Sequence, residues 1–280
     1  MRKTPPSPLK PILAAAGALA LIGFAALAEA QTPEEQGYAV AERANASDNG
    51  FGDSRVDAKM ILRNAAGDAT QRDLTFTTLE RESVEVGDKS LVVFHSPRDV
   101  EGTALLSHAK ILDPDDQWLF LPALKRTKRI SSANKSGPFV GSEFAFEDFT
   151  ALELGKYDYK YLREDTLGDL TVDVVERYPL YEKSGYTRQV SYIDQDIHQV
   201  RKVEFFDRRG DLLKTLSLED YRPYEVTTPE GETVQVWRSH AFLMVNHKTG
   251  KETDLIYEDY AFEAGLNDRD FTRSVLERAR

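Results

Sequence analysis

From Ser54 onward the sequence takes up a period of two and keeps it, with few interruptions, to Phe262. In Arg55 to Arg63 one face carries Val56, Ala58, Met60 and Leu62 while the other carries mostly charge, the alternation of a half-buried β-strand. The turn Ala65-Ala66-Gly67-Asp68 returns the chain into Arg72 to Arg81, where Leu74, Phe76 and Thr78 share a face; the two runs predict a hairpin. Similar runs follow at Ser90 to His95, Ala104 to Leu112, Gln117 to Pro122, Lys125 to Ser131, Leu170 to Arg177, Arg188 to Asp194, His198 to Phe206, Leu212 to Leu218, Thr233 to Val245 and Glu252 to Phe262. Connections such as Asp207-Arg208-Arg209-Gly210-Asp211 and His247-Lys248-Thr249-Gly250 are too short for the crossovers that parallel strands need. An antiparallel meander is therefore expected. Its apolar face must be covered, either by curling into a barrel or by packing as a two-sheet sandwich. A barrel of that many strands has more interior than its side chains fill and can hold a ligand.

Two helices are predicted outside the strands. Thr32-Pro33-Glu34-Glu35 supplies a capping residue, a proline at the first helical position and a glutamate at the third, so a helix should run from about Pro33 to Asn45. Asn267 can cap a second, Asp268 to Arg280, with acidic residues in its first turn and Phe271, Val275 and Leu276 on a narrow apolar stripe. Before these lies a segment of another kind. Arg2, Lys3 and Lys10 precede an uncharged Ala/Leu/Gly-rich stretch from Ile12 to Leu27, which ends on Ala28-Glu29-Ala30. That order reads as an export signal cleaved after Ala30; a membrane anchor would need about 20 apolar residues. The expected organisation is a leader, residues 1–30, and one domain, residues 31–280.

Without residues 1–30 the chain carries 33 basic and 46 acidic side chains, a net charge of −13. So acidic a protein is a poor candidate for nonspecific contact with nucleic acid or anionic lipid surfaces. It has no cysteine, which excludes disulfides, thiol catalysis and iron–sulfur or cysteine–zinc sites. The sequence contains no G-x-S-x-G, no H-E-x-x-H and no phosphate-wrapping G-x-x-x-x-G-K-[ST]. Its five histidines, at 95, 108, 198, 240 and 247, fall in or beside separate strands. Asp113-Pro114-Asp115-Asp116 has the carboxylates of a calcium loop but neither its spacing nor its distal glutamate, and reads as a solvated turn. No catalytic residue, metal ligand or cofactor is expected.

The most distinctive stretch runs from Asp115 to Phe149. Trp118 and Phe120 share one strand face and Leu119 and Leu121 the other, so this strand is apolar on both sides. Lys125, Arg126, Lys128 and Arg129 then place four positive charges in five residues, with Arg126 and Lys128 facing one way. They read either as a charged edge strand that discourages aggregation or as a patch recognising lipid phosphate or an acidic partner surface. Gly137, Gly141 and the aromatic run Phe139 to Phe149 suggest a mobile cover.

At these residues the sequence resembles the LolA-like outer-membrane lipoprotein-sorting proteins of the periplasm. The elements W-x-F/Y-L-P (Trp118 to Pro122), R-x-K-R-I (Arg126 to Ile130) and G-S-[DE]-F-x-[YF]-E-D (Gly141 to Asp148) carry the likeness, with Glu143 and Phe146 where Asp and Tyr are expected. The resemblance implies a mainly β half-barrel of about eleven antiparallel strands with helices over its concave face. It implies a monomeric, non-enzymatic periplasmic carrier that shelters lipid or lipoprotein acyl chains and works with an inner-membrane transporter of the resistance-nodulation-division (RND) type. Met60, Leu62, Leu74, Phe76, Trp118, Phe120, Phe139, Phe144 and Phe146 are the candidates for its lipid cavity, and Lys125, Arg126, Lys128 and Arg129 for its recognition patch. A related half-barrel could instead act as a sensor that binds and regulates a partner protein.

Overall fold

The computed structural model describes Met1 and residues 31–81, 86–228 and 231–279. The leader and its cleavage position lie outside the described residues, as does Arg280. Helix α1, Pro33–Asp48, begins as its sequence dictates. The Thr32 hydroxyl accepts from the Glu35 backbone N–H, and the Glu35 carboxylate accepts from that of Thr32, at 3.2 and 2.8 Å. The helix runs one turn past the predicted end and buries Gly37, Val40 and Ala41.

Fourteen strands follow: β1 Asp53–Arg63, β2 Ala69–Leu79, β3 Val86–Ser96, β4 Ala104–Lys110, β5 Asp116–Leu121, β6 Arg126–Arg129, β7 Tyr157–Leu167, β8 Leu170–Pro179, β9 Arg188–Asp194, β10 Val200–Phe206, β11 Leu212–Thr227, β12 Thr233–Asn246, β13 Glu252–Tyr257 and β14 Ala261–Phe262. They form one antiparallel sheet in the order β6-β5-β4-β3-β2-β1-β13-β12-β11-β10-β9-β8-β7, with the short β14 paired to β1. The chain thus makes two meanders, β1 to β6 and β7 to β13, joined where β1 pairs with β13 from Ala58↔Tyr257 to Arg63↔Glu252. The sheet is not closed; it is a curved half-barrel whose free edges are β6 and β7.

The strand count exceeds the eleven that the resemblance implies and the twelve runs read from the sequence: the run Glu252 to Phe262 is two strands, β13 and β14, and β7 escaped the sequence reading. Its Tyr157, Tyr159 and Tyr161 alternate with Asp158 and Lys160, but a bulge between Tyr161 and Arg163 breaks the phase midway.

Both faces of the sheet are covered at one end. On the inner face, Met60, Leu74, Val92, Phe94 and Leu105 pack against Phe139, Phe144 and Phe146 of a long connection between β6 and β7, residues 131–156, here called the strap. Farther along the same face α1 packs Val40 and Ala41 onto Tyr159, Val175 and Ile193. On the outer face the C-terminal segment puts Phe271 and Leu276 over Leu91, Ala104 and Leu106, with Trp118 and Phe120 beside them. The continuous C-terminal helix expected from Asp268 is instead two pieces, a 3₁₀ turn Asp268–Phe271 and helix α2 Arg273–Leu276. Between them Thr272 is extended and caps α2 by accepting from the Val275 N–H. Breaking at Thr272 lets Phe271 and Leu276 both point into the sheet.

Candidate lipid-binding cavity

Between α1, the end of the strap and the inner face of the sheet lies a cavity of about 700 Å³, within the size range of small-molecule sites. Its floor is Val56, Phe76 and Val92 from β1 to β3 and Leu218, Trp237, Phe242 and Tyr257 from the far meander. Phe149 and Leu152 of the strap form one wall, and Ala44 and Asp48 of α1 another. The alternation of these strands places every second side chain inside. Burial in these apolar surroundings pushes the phenols of Tyr257 and Tyr260 above their ordinary range.

The cavity is aromatic at depth and polar at its rim. Phe76 sits 5.1 Å from Tyr257 between ring centroids, and Tyr257 sits 4.9 Å from Phe242. At the rim, Glu80 accepts the backbone N–H groups of Gly50 and Gly52 at 2.7 and 2.8 Å. Asp88 accepts that of Arg81 at 2.8 Å. Burial is the main cause that pushes the Asp88 carboxyl up to about 7; the Arg81 N–H opposes it, and the carboxylates of Glu80 and Glu153 add to it. Arg238 is held by Asp48 at 2.6 Å and lies over the rings of Phe51 and Phe262.

The strap is anchored rather than free. Glu143 donates its N–H to Thr253 at 3.0 Å and accepts from Asn246 at 2.6 Å. Arg72 donates to the Val140 carbonyl, and buried Gln117 to the Phe146 carbonyl. Glu147 accepts from Ser184, from Tyr181 and from the Gly185 N–H, and burial, its largest influence, raises its carboxyl. Asp148 takes the Tyr186 hydroxyl and the buried ammonium of Lys214 at 2.8 and 2.7 Å. The aromatic run expected to be a mobile cover is thus held to the sheet along its length by hydrogen bonds and an ion pair. Asp115 is a second correction: it is not in a solvated turn but is buried, paired with Lys156 and with Lys135 at 3.6 Å, and fastens the base of the strap.

Of the nine residues expected to line a lipid cavity, Phe76 lines this one. Met60, Leu74, Phe139, Phe144 and Phe146 are buried in the adjoining core, with Leu62 packed at its margin. Trp118 and Phe120 lie on the outer face under the C-terminal segment. The parity of β5 pairs those two correctly, but its other face, with Leu119, is the inner one. Phe149, Phe242, Tyr257 and Tyr260 were missed. The alternation of β12 and β13 carries Phe242 and Tyr257, whereas Phe149 reaches the cavity only because the strap folds back. The patch residues Lys125, Arg126, Lys128 and Arg129 are exposed on or beside β6, away from the cavity lining. His240 is buried, bonded to the Tyr224 hydroxyl and the Tyr257 carbonyl, while His198 reaches the cavity rim. Among the described residues no three His, Asp or Glu side chains gather as a metal site.

Comparison with known proteins agrees with this architecture. A family model described as an uncharacterized protein matches residues 87–278. No curated protein matches the sequence. A solved structure of a proposed outer membrane lipoprotein-sorting protein domain from Vibrio parahaemolyticus is 44% identical and superimposes with a TM-score of 0.81, covering 88% of this chain and 100% of its own. A domain-of-unknown-function family protein from Desulfovibrio piger is 25% identical, with a TM-score of 0.78 over the same shares. A LolA superfamily protein from Nitrosomonas europaea, 21% identical with a TM-score of 0.64 over 88% of this chain and 100% of its own, shares the fold. With 44% identity over 88% of its length to the Vibrio parahaemolyticus domain, the chain belongs to the family of outer membrane lipoprotein-sorting protein domains, and it shares its half-barrel fold with the LolA superfamily protein.

Proposed function

We propose that this protein is a periplasmic, monomeric, non-enzymatic carrier that shelters a lipid or lipoprotein acyl chain in the cavity between α1, the strap and the sheet. The observation that carries the reading is the cavity itself: about 700 Å³, walled by Phe76, Phe149, Phe242 and Tyr257, and rimmed by polar groups. An acyl chain gains about 0.8 kcal/mol for each CH2 removed from water. A few buried turns of chain therefore suffice for reversible capture, and the rim keeps a headgroup hydrated. Phe76 contacts the chain, whereas Met60, Leu62, Leu74, Phe139, Phe144 and Phe146 pack in the adjoining core and back the cavity.

The natural donor or acceptor for such a carrier is a membrane exporter, and an RND-type transporter of the inner membrane fits that role. Protein purified from the periplasm and analysed by native mass spectrometry and gentle lipid extraction should carry acyl-containing species. Ser90 of β3 also lines the cavity, and the same preparation of a Ser90→Trp variant, whose ring fills that space, should not. Equal lipid content in both, or none in the unaltered protein, removes the basis of the reading.

A further inference from the structure

We infer that the outer edge of β6 is a docking site for an extended acidic segment of a partner protein, which adds to the half-barrel as a further antiparallel strand. The edge has the required backbone. Ile130 donates its N–H to the Gln117 carbonyl at 2.9 Å, and the register continues as Leu119↔Lys128 and Leu121↔Arg126. Hydrogen-bonded pairs alternate along an antiparallel ladder, so Lys128 and Arg126 turn their backbone groups toward β5, while Thr127 and Arg129 turn theirs away from the sheet. β6 ends the strand order, and no further strand lies beside it among the described residues.

The side chains fix the chemistry of the occupant. Arg129 is paired to Asp116, but Lys125, Arg126 and Lys128 make no ion pair among the described residues. In a chain with 47 acidic against 36 basic residues, cations left without partners on one exposed edge form a complement for negative charge. Arg126 and Lys128 project to the same side, so a paired strand with carboxylates at every second position meets both, and opposite charges facing each other across strands are stabilising. A second copy is disfavoured at this edge, because β6 against β6 sets cation against cation. The other edge strand, β7, is backed by α1, whose Gly37 is pressed against the backbone of Lys160 and Tyr161. Of the two edges, β6 is the one without a helix packed on its backbone, and it is already charged for its partner.

The site is independent of what the cavity holds. Its test uses the purified protein and a synthetic peptide of alternating Glu and Val, with a Lys-for-Glu peptide as control, read by fluorescence anisotropy and by amide hydrogen exchange. The acidic peptide should bind in a salt-dependent manner and slow exchange at the Thr127 and Arg129 amides; the basic one should not. Arg126→Glu with Lys128→Glu should weaken binding roughly tenfold. Thr127→Pro removes the outward donor without touching a bond to β5 and should weaken it similarly, whereas Thr127→Val should bind as before. Lipid content should be unchanged in all three. No peptide binding, or full binding by the proline variant, overturns the proposal. So does capture of phosphatidylglycerol vesicles without protection of Thr127 by peptide, which would assign the charge to lipid phosphate.

Discussion

The ring of Phe149 lies stacked on that of Phe76, centroids 6.0 Å apart and planes 24° apart. Phe149 also touches Phe139 at 4.4 Å and Phe144 at 5.5 Å. Phe149 therefore stands between the packed half of the inner face and the half that holds space. Phe149→Ala should merge the two, at a cost of about 2–4 kcal/mol, and enlarge the cavity. Denaturant unfolding measures the cost. Mass spectrometry of bound species measures the second effect, which should appear as bulkier lipids than the unaltered protein carries.

Lys214 holds the strap from beneath. Its side chain and that of Asp148 are 4% and 8% exposed, so removing the ammonium leaves a carboxylate buried without its counter-charge. Lys214→Met should cost about 3–5 kcal/mol. Adding Asp148→Asn should restore more than half of that loss. Equilibrium unfolding of the two variants and the parent decides the matter, and an undiminished loss in the double variant would show that Lys214 acts through packing on Tyr186 and Phe205 instead.

Gly37 is required by proximity rather than by conformation. A methyl group there would stand 2.6 Å from the Tyr161 nitrogen and 2.7 Å from the Lys160 carbonyl carbon, and backbone cannot step aside as a flexible side chain does. Gly37→Ala should lift α1 from β7 and destabilise the protein by about 1–3 kcal/mol. Faster amide exchange in α1, ahead of the sheet, is the signature to seek.

Asp88 makes stability depend on pH. Its carboxyl sits at about 7 in the folded protein against 3.8 ordinarily, so the folded state holds the proton more tightly than the unfolded one. The resulting stabilisation is full below about pH 4, declines as pH rises toward 7, and is gone above it. Asp88→Asn keeps an acceptor for the Arg81 N–H and should raise Tm at pH 8 while flattening the slope between pH 4 and 7. A series of thermal unfolding curves across that range tests both statements.

The fold was legible where local rules and global packing agree. Thr32 and Glu35 announce α1, and the alternation of Val56, Ala58 and Met60 announces an inner face. Alternation does not say which face is inner, however, and in β5 both are apolar because the C-terminal segment covers the outer one. Trp118 and Phe120 were therefore paired correctly but could not be placed. Asp115 could not be read as buried because its partners Lys135 and Lys156 arrive from opposite ends of the strap. For the same reason the cavity was only partly visible: Phe76 follows from strand parity, whereas Phe149 depends on how a loop without regular period folds back.

The ladder between β1 and β13 carries a consequence for how the molecule comes into being. Each meander can zip locally, strand upon neighbouring strand, but the seam that makes them one sheet joins the first strand to the next-to-last. Contacts so distant in sequence form late and slowly. A chain that emerges from its amino end can pair β1 with β2 but must hold the other edge of β1 open until Glu252–Tyr257 is free, and until that moment it is two fans without a hinge. Any truncation before Glu252 would leave the seam open, however much of the chain had already folded.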